Sequence, residues 1–191
     1  MKLLEQLENY IPYNEQEAAD RIIMMDWLRS GCELYARDNT TIHFTASGWI
    51  VSPDRSQVLM AFHNLYHSWA WLGGHADGDH DLLHVAEKEI REESSLPKFR
   101  LVSPDIFSIE ILPVFGHVRR GTYVSTHQHF NVTYLFEADP ALPITNQPDE
   151  NSAVGWIPVE DLPTRVSEPW MLERIYTKLN QKAQQNISSD C

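Results

Sequence analysis

The sequence predicts an α/β domain with an N-terminal helical extension, on three observations. Residues 14–31 (NEQEAADRIIMMDWLRSG) and 168–182 (EPWMLERIYTKLNQK) space apolar residues as amphipathic helices do. Residues 40–51 (TTIHFTASGWIV), 57–62 (QVLMAF) and 130–138 (FNVTYLFEA) are rich in β-branched and aromatic residues, and the first of them alternates apolar with polar or small ones. The 191 residues, 42% hydrophobic with six Trp, suffice for one sizeable core, and no repeat, low-complexity tract or linker divides them.

The N-terminal segment, residues 1–31, is read as a helical extension, with the main domain over 32–191. Asn14 with Glu17 three residues on resembles a capping box, and Gly31 stands where a helix stops. Ala18, Ile22, Met25, Trp27 and Leu28 supply an apolar stripe. A packing element is the plain role for this extension; a dimer interface or a substrate cap is the functional one. Segments 40–51 and 57–62, joined by the turn SPDRS, predict a hairpin.

Residues 66–72 (YHSWAWL) predict a strand running into Gly73-Gly74, with Trp69 and Trp71 on one side as core rather than as a platform for a base. The loop from His75 to Asp81 alternates Asp77, Asp79 and Asp81, but its Gly and the downstream Glu are not at the offsets of an EF-hand. Asp81 is a good N-cap for the next helix, whose buried face holds Leu82, Ala86 and Ile90. Residues 106–118 predict one long strand or two short ones, with Pro113 at an edge or bulge. Arg119 and Arg120 fall in a turn, either solvated or meeting a substrate phosphate. His127 and His129 point to one face of the following strand, as structural histidines or as a metal or phosphate clasp. Residues 139–152 are a Pro-rich polar loop containing Asp149 and Glu150. Ser167 can cap the last helix, with Met171, Leu172, Ile175, Tyr176 and Leu179 on its buried face.

The chemistry concentrates in residues 73–96 (GGHADGDHDLLHVAEKEIREESSL). Glu89, Glu92 and Glu93 crowd neighbouring positions of one helix surface. Like charges at that spacing repel, and a hard divalent cation, which prefers carboxylate and carbonyl oxygens, is their natural neutraliser.

This stretch resembles the Nudix box, G-x5-E-x7-R-E-U-x-E-E-x-G-U with U apolar. Gly74 is the first Gly, Glu89 the Glu after the basic residue, Ile90 the first U, Glu92 and Glu93 the paired acids, and Leu96 the last U. Three positions depart from it: His80 replaces the first Glu, Lys88 the Arg, and Ser95 the last Gly. The resemblance implies the Nudix fold, a mixed β-sheet sandwiched between α-helices, and a Mg2+ or Mn2+ cofactor. It implies Glu92 and Glu93 as metal ligands, Glu89 as a further ligand or the catalytic base, and the Gly73 or Gly74 carbonyl in the shell. Lys88 takes the place of the residue that orients the acids, and Glu150, with Asp149 second, matches the acid that joins the metal site or acts as base. Lys88 keeps the charge of Arg without its bidentate fork, and a neutral His80 suits Mn2+ or a softer metal better than Mg2+. Ser95 forgoes the glycine favoured at a left-handed helix cap.

The function expected is hydrolysis of a phosphoanhydride in a nucleoside diphosphate derivative or similar metabolite by metal-activated water, with Arg119, Arg120, His127 and His129 on the substrate. The alternative, supported by His80 and Lys88, is a nucleotide-binding module or sensor with little turnover. An isopentenyl diphosphate isomerase needs a cysteine in the sheet, and neither Cys32 nor Cys191 is so placed. Tyr35, Trp49, Tyr66 and Tyr123 are aromatic candidates for stacking on a base or for the core. A net charge of −12 argues against a nucleic-acid partner but not against a small phosphate bridged by metal. The absence of an N-terminal apolar run and the two cysteines predict a cytoplasmic protein away from membranes. Family relatives are often homodimers, and the N-terminal helix is a candidate interface.

Overall fold

The longest strand pairing in the computed structural model runs in parallel between β1 (Ile42–Val51) and β9 (His127–Glu137), from Ile42 opposite Gln128 to Val51 opposite Glu137. The structure describes residues 2–64, 67–119, 121–149 and 151–185. β2 (Gln57–His63) returns antiparallel to β1, as the turn chemistry predicts, but only Ile50↔Leu59 and Val51↔Val58 pair. The other half of that β1 edge belongs to β4 (Leu72–His75), with Thr45 opposite His75 and Ser47 opposite Gly73. The segment read as one strand over 66–72 is therefore two, because β3 (Ser68–Ala70) pairs with β2 while β4 pairs with β1. β10 (Asn151–Pro158) flanks β2, and β5 (Arg100–Leu101) and β6 (Ser108–Val114) lie antiparallel to β9. β7 (His117–Arg119) and β8 (Thr122–Val124) form a separate ribbon. The result is the expected mixed sheet. Pro113 sits in β6, which pairs with β9 along one side.

Period-two alternation sorts the side chains. On one face, Ile42, Phe44, Ala46 and Ile50 of β1 join Phe130, Val132, Tyr134 and Phe136 of β9 in a core shared with helix α3 (Leu82–Ser94). On the other face, Trp49 and Val51 join Leu135 in a second core, closed by α4 (Leu162–Arg165), a π-helical turn (Met171–Tyr176) and α5 (Thr177–Gln185). The preceding residues of that second face are polar: His43, Thr45 and Ser47 on β1, and His127, His129 and Asn131 on β9. The second face thus passes from apolar core to polar cavity along the same strands.

α1 (Leu3–Asn9) and α2 (Glu15–Arg29) place Leu3, Leu7, Met24 and Met25 in the first core. α2 covers the outer edge of β6: Gln16 Nε2 donates to the Ile109 carbonyl at 3.0 Å and Ile111 N–H donates to Asp20 Oδ2 at 2.9 Å. Such a cover satisfies an edge that would otherwise template pairing with another chain. Asn14 caps α2 through the Glu17 N–H, but Glu17 turns into the interior rather than back to Asn14. That turn sets the helix face, so Ile22, expected on the buried stripe, is 56% exposed while Glu17 is buried. The last helix also differs at its start. Ser167 does not cap it; its hydroxyl donates to the His67 carbonyl and its N–H to Ser68 Oγ. Ile175, Tyr176 and Leu179 are buried as expected. No helix among the described residues is long and apolar enough to cross a membrane.

Candidate functional site

The polar end of the second sheet face opens into a cavity of about 780 Å3, lined among others by His43, His75, His129, Gly73, Gly74, Glu89 and Glu93. Helix α3 delivers the carboxylates. Asp81 Oδ1 accepts the His84 N–H at 3.1 Å and starts the helix, and Ser95, at φ 52°, ends it in the left-handed conformation. Ile90 packs so tightly on Gly48 that a Cβ there would come within 2.6 Å of its Cδ1. This contact fixes the rotation of α3.

Two glycines clear space here, Gly74 for a carboxylate and Gly73 for the neighbouring strand. A Cβ on Gly74 would stand 2.5 Å from Glu89 Cδ, and one on Gly73 would stand 2.5 Å from the Ala46 carbonyl oxygen. Gly73 N–H donates to Glu93 Oε2 at 3.0 Å, and Glu93 is 7% exposed. Lys88 Nζ lies 3.3 Å from Glu92 Oε2 and 3.7 Å from Glu89 Oε1, so it ties two of the three acids together. Burial pushes the Lys88 ammonium down, but Glu89 and Glu92 outweigh it and hold it above its ordinary value. Glu92, 54% exposed at its side chain, lies at the outer side of the helix. These hard oxygen donors against a bare backbone fit a divalent cation.

Another part of the cavity lining is built of histidines. His43, His75 and His129 place ring nitrogens within 4.8 Å of one another, and His129 Nε2 lies 3.2 Å from both His75 Nε2 and His127 Nε2. Adjacent strands bring them together: His43 is opposite His129, and Thr45, two residues on, is opposite His75. Burial first, then the neighbouring His75, His43 and His127, hold His129 down at about 2, and burial lowers His43 as well. Both rings are neutral near pH 7.

Behind the histidines lies a buried charged network. Asn131 Oδ1 accepts from Thr45 Oγ1 and Ser47 Oγ, and its Nδ2 donates to Glu110 Oε2 at 3.0 Å. Lys178 Nζ joins Glu110 Oε1 at 3.0 Å to Glu17 Oε1 at 3.1 Å, and Lys182 Nζ adds a 3.0 Å contact to Glu17. The network fastens α2 and α5 to the floor of the cavity.

Of the residues singled out from the sequence, the cavity gathers Gly73, Gly74, Glu89, Glu93, His127, His129 and Asp149. Lys88 and Glu92 stand beside them on α3. Glu150 and Arg120 lie outside the described residues, as does the Arg119 side chain, while the Arg119 backbone belongs to β7. His80 stacks on Tyr35 at 4.0 Å between ring centroids. Trp49 is core, stacked on Tyr176. Tyr66 is outside the described residues, and Tyr123 is 68% exposed on the cavity wall. Trp69 and Trp71 pack against the second core, as expected. Sequence reasoning missed His43 and His75 as site residues, and also Arg37, which lines the cavity and binds Asp77 through two nitrogens. A period-two register of β1 against β9 is the signal that would have found His43.

A family model described as the NUDIX domain matches residues 42–178. No curated protein matches the chain. Among solved structures, a C. elegans Ap4A hydrolase binary complex is similar at 17% identity and a TM-score of 0.55, over 76% of this chain and 98% of that one. The MutT protein from Methanosarcina mazei Go1 is similar at 12% identity and a TM-score of 0.54, over 74% and 94%. The NUDIX domain of Shewanella oneidensis NrtR complexed with ADP ribose is similar at 15% identity and a TM-score of 0.51, over 98% and 99%. At these identities the likeness is one of fold.

Proposed function

The chain belongs to the Nudix hydrolase family, pyrophosphohydrolases that generally use divalent metal ions, and from that premise we propose that it cleaves a phosphoanhydride bond in a small nucleoside diphosphate derivative. The observation that carries this reading is the position of Glu89 and Glu93 against the Gly73-Gly74 backbone, on the wall of a cavity. The cavity's size and the nucleotide-derived ligands named for neighbours of this fold support a nucleotide-like substrate.

Glu89, Glu92, Glu93 and the Gly74 carbonyl would hold the cation. Bound there, Mg2+ or Mn2+ would supply a Lewis acid for the phosphoryl oxygen and would lower the pKa of bound water. Water oxygen forms a bond to phosphorus, the bridging P–O bond breaks, and the departing phosphate keeps the electron pair. Glu89 or Glu150 takes the proton of the attacking water. Lys88 orients Glu89 and Glu92, and Arg119 and Arg120 meet the substrate phosphates.

The test is product release from a panel of nucleoside diphosphate derivatives, nucleoside triphosphates and diphosphorylated metabolites, with Mg2+ and Mn2+ in separate runs. Metal-dependent turnover that falls on the order of a hundredfold or more in Glu93→Gln and Glu92→Gln is expected, given that losing even a supporting group of a metal site costs 10–100-fold. Full activity in both variants overturns the assignment.

A further inference from the structure

We infer that His43, His75 and His129 form a binding site for a divalent transition metal ion of the Zn2+ or Co2+ type, separate from the carboxylate site on α3. Their ring nitrogens all lie within 4.8 Å of one another. The 3.2 Å between His75 Nε2 and His129 Nε2 is close to the edge of a tetrahedron of nitrogens around zinc, about 3.3 Å for Zn–N bonds near 2.05 Å.

The hydrogen bonding around the rings points the same way. His43 Nδ1 meets the Asn39 carbonyl oxygen at 3.0 Å and must donate to it, which leaves its Nε2 with a lone pair. That Nε2 is buried and has no hydrogen-bond partner among the described residues. A second ring nitrogen donating to a backbone carbonyl is the usual support of a metal-binding histidine, because it fixes tautomer and orientation. His127 has the same support, with Nδ1 at 2.9 Å from the Ser125 carbonyl oxygen and Nε2 at 3.2 Å from His129 Nε2. Without an ion, His127 Nε2 turns a lone pair toward His129 Nε2, and no described residue offers a hydrogen to the lone pair of His43 Nε2. One cation satisfies these lone pairs together.

The scaffold is rigid and the donors are selective. The three ligands come from β1, β4 and β9, which are hydrogen-bonded neighbours in one sheet. Imidazole suits zinc, cobalt, nickel and iron, whereas Mg2+ takes oxygen. Three protein ligands leave a further position, for His127, water or an oxygen of a ligand in the cavity. The HxH pair of β9 is on this account a metal clasp, with His127 the reserve ligand, rather than a direct phosphate clasp.

The test uses the full chain without an affinity tag, stripped with chelator. Co2+ is titrated and followed by visible absorption, and Zn2+ by calorimetry, both in excess Mg2+. The expected result is one equivalent bound, a cobalt spectrum of nitrogen ligation and a raised Tm. His75→Ala and His129→Ala should each weaken binding at least roughly a hundredfold. Glu93→Gln should bind as the wild type does, while losing its Mg2+-dependent hydrolysis, so the two sites fail separately. If circular dichroism shows His129→Ala unfolded, His75→Ala and His43→Gln decide. No binding by the wild type, unchanged binding in folded histidine variants, or loss confined to Glu93→Gln overturns the inference.

Discussion

Gly73 gives its N–H to Glu93 Oε2 at 3.0 Å, so one hydrogen bond ties strand β4 to helix α3 at the point where both meet the cavity. The neighbouring glycine does a different job. Gly74 leaves room for the Glu89 carboxylate, whose oxygens would lie 2.7 Å from any Cβ there.

The two glycines should therefore fail differently. Gly74→Ala pushes only the end of a flexible side chain, so the fold survives and Glu89 is displaced; metal-dependent activity drops about tenfold or more. Gly73→Ala meets the Ala46 carbonyl oxygen and Ser47 Cα at 2.5 and 2.7 Å, backbone that cannot give, and loses about 1–3 kcal/mol of stability. Urea unfolding together with steady-state rates separates the two. Equal stability loss in both variants would count against this division of roles.

Lys88 spans Glu89 and Glu92 with a single ammonium. Lys88→Arg adds a planar fork and should raise kcat/KM several-fold, while Lys88→Met should lower it. Rates unchanged in both would show that Lys88 does not position the acids.

The buried network makes a prediction about stability and acid. Lys178→Met leaves Glu110 buried beside a missing cation and should cost about 3–5 kcal/mol in urea unfolding. Burial pushes the Glu17 carboxyl up, but Lys178, Lys182 and the Tyr10 hydroxyl outweigh it and bring it from 4.5 to about 2. A carboxyl depressed on folding stabilises fully above its unfolded pKa and loses that contribution as pH falls through the folded one. Stability should thus decline between about pH 5 and about pH 2, and the decline should be shallower in Glu17→Gln. An identical acid profile in the variant would refute it.

Ser95 ends α3 at φ 52°, where an L side chain is strained. Ser95→Gly should gain about 1 kcal/mol, or roughly 2–4 °C in Tm, without changing turnover. A Tm at or below the wild type is the contrary result.

Local patterns in the sequence determined a good deal of this protein. Asp81 as N-cap, Ser95 at a strained helix end, the Gly-Gly approach and the joint position of Glu89 and Glu93 all follow from spacing along one helix and its flanks. Period two located β1, and β-branched and aromatic residue types located β2 and β9. Other features depend on what lies across the sheet. Glu17 outranked Ile22 for the inside of α2 because Lys178 and Lys182, far away in the chain, take its charge. His43 and His75 join His129 only through the registers of β1 with β9 and with β4. Helical and strand periodicities act within a few residues and can be read directly. Strand register and ion-pair partners are fixed by contacts between distant segments, so only the tertiary structure decided which histidines meet and which acids face the cavity.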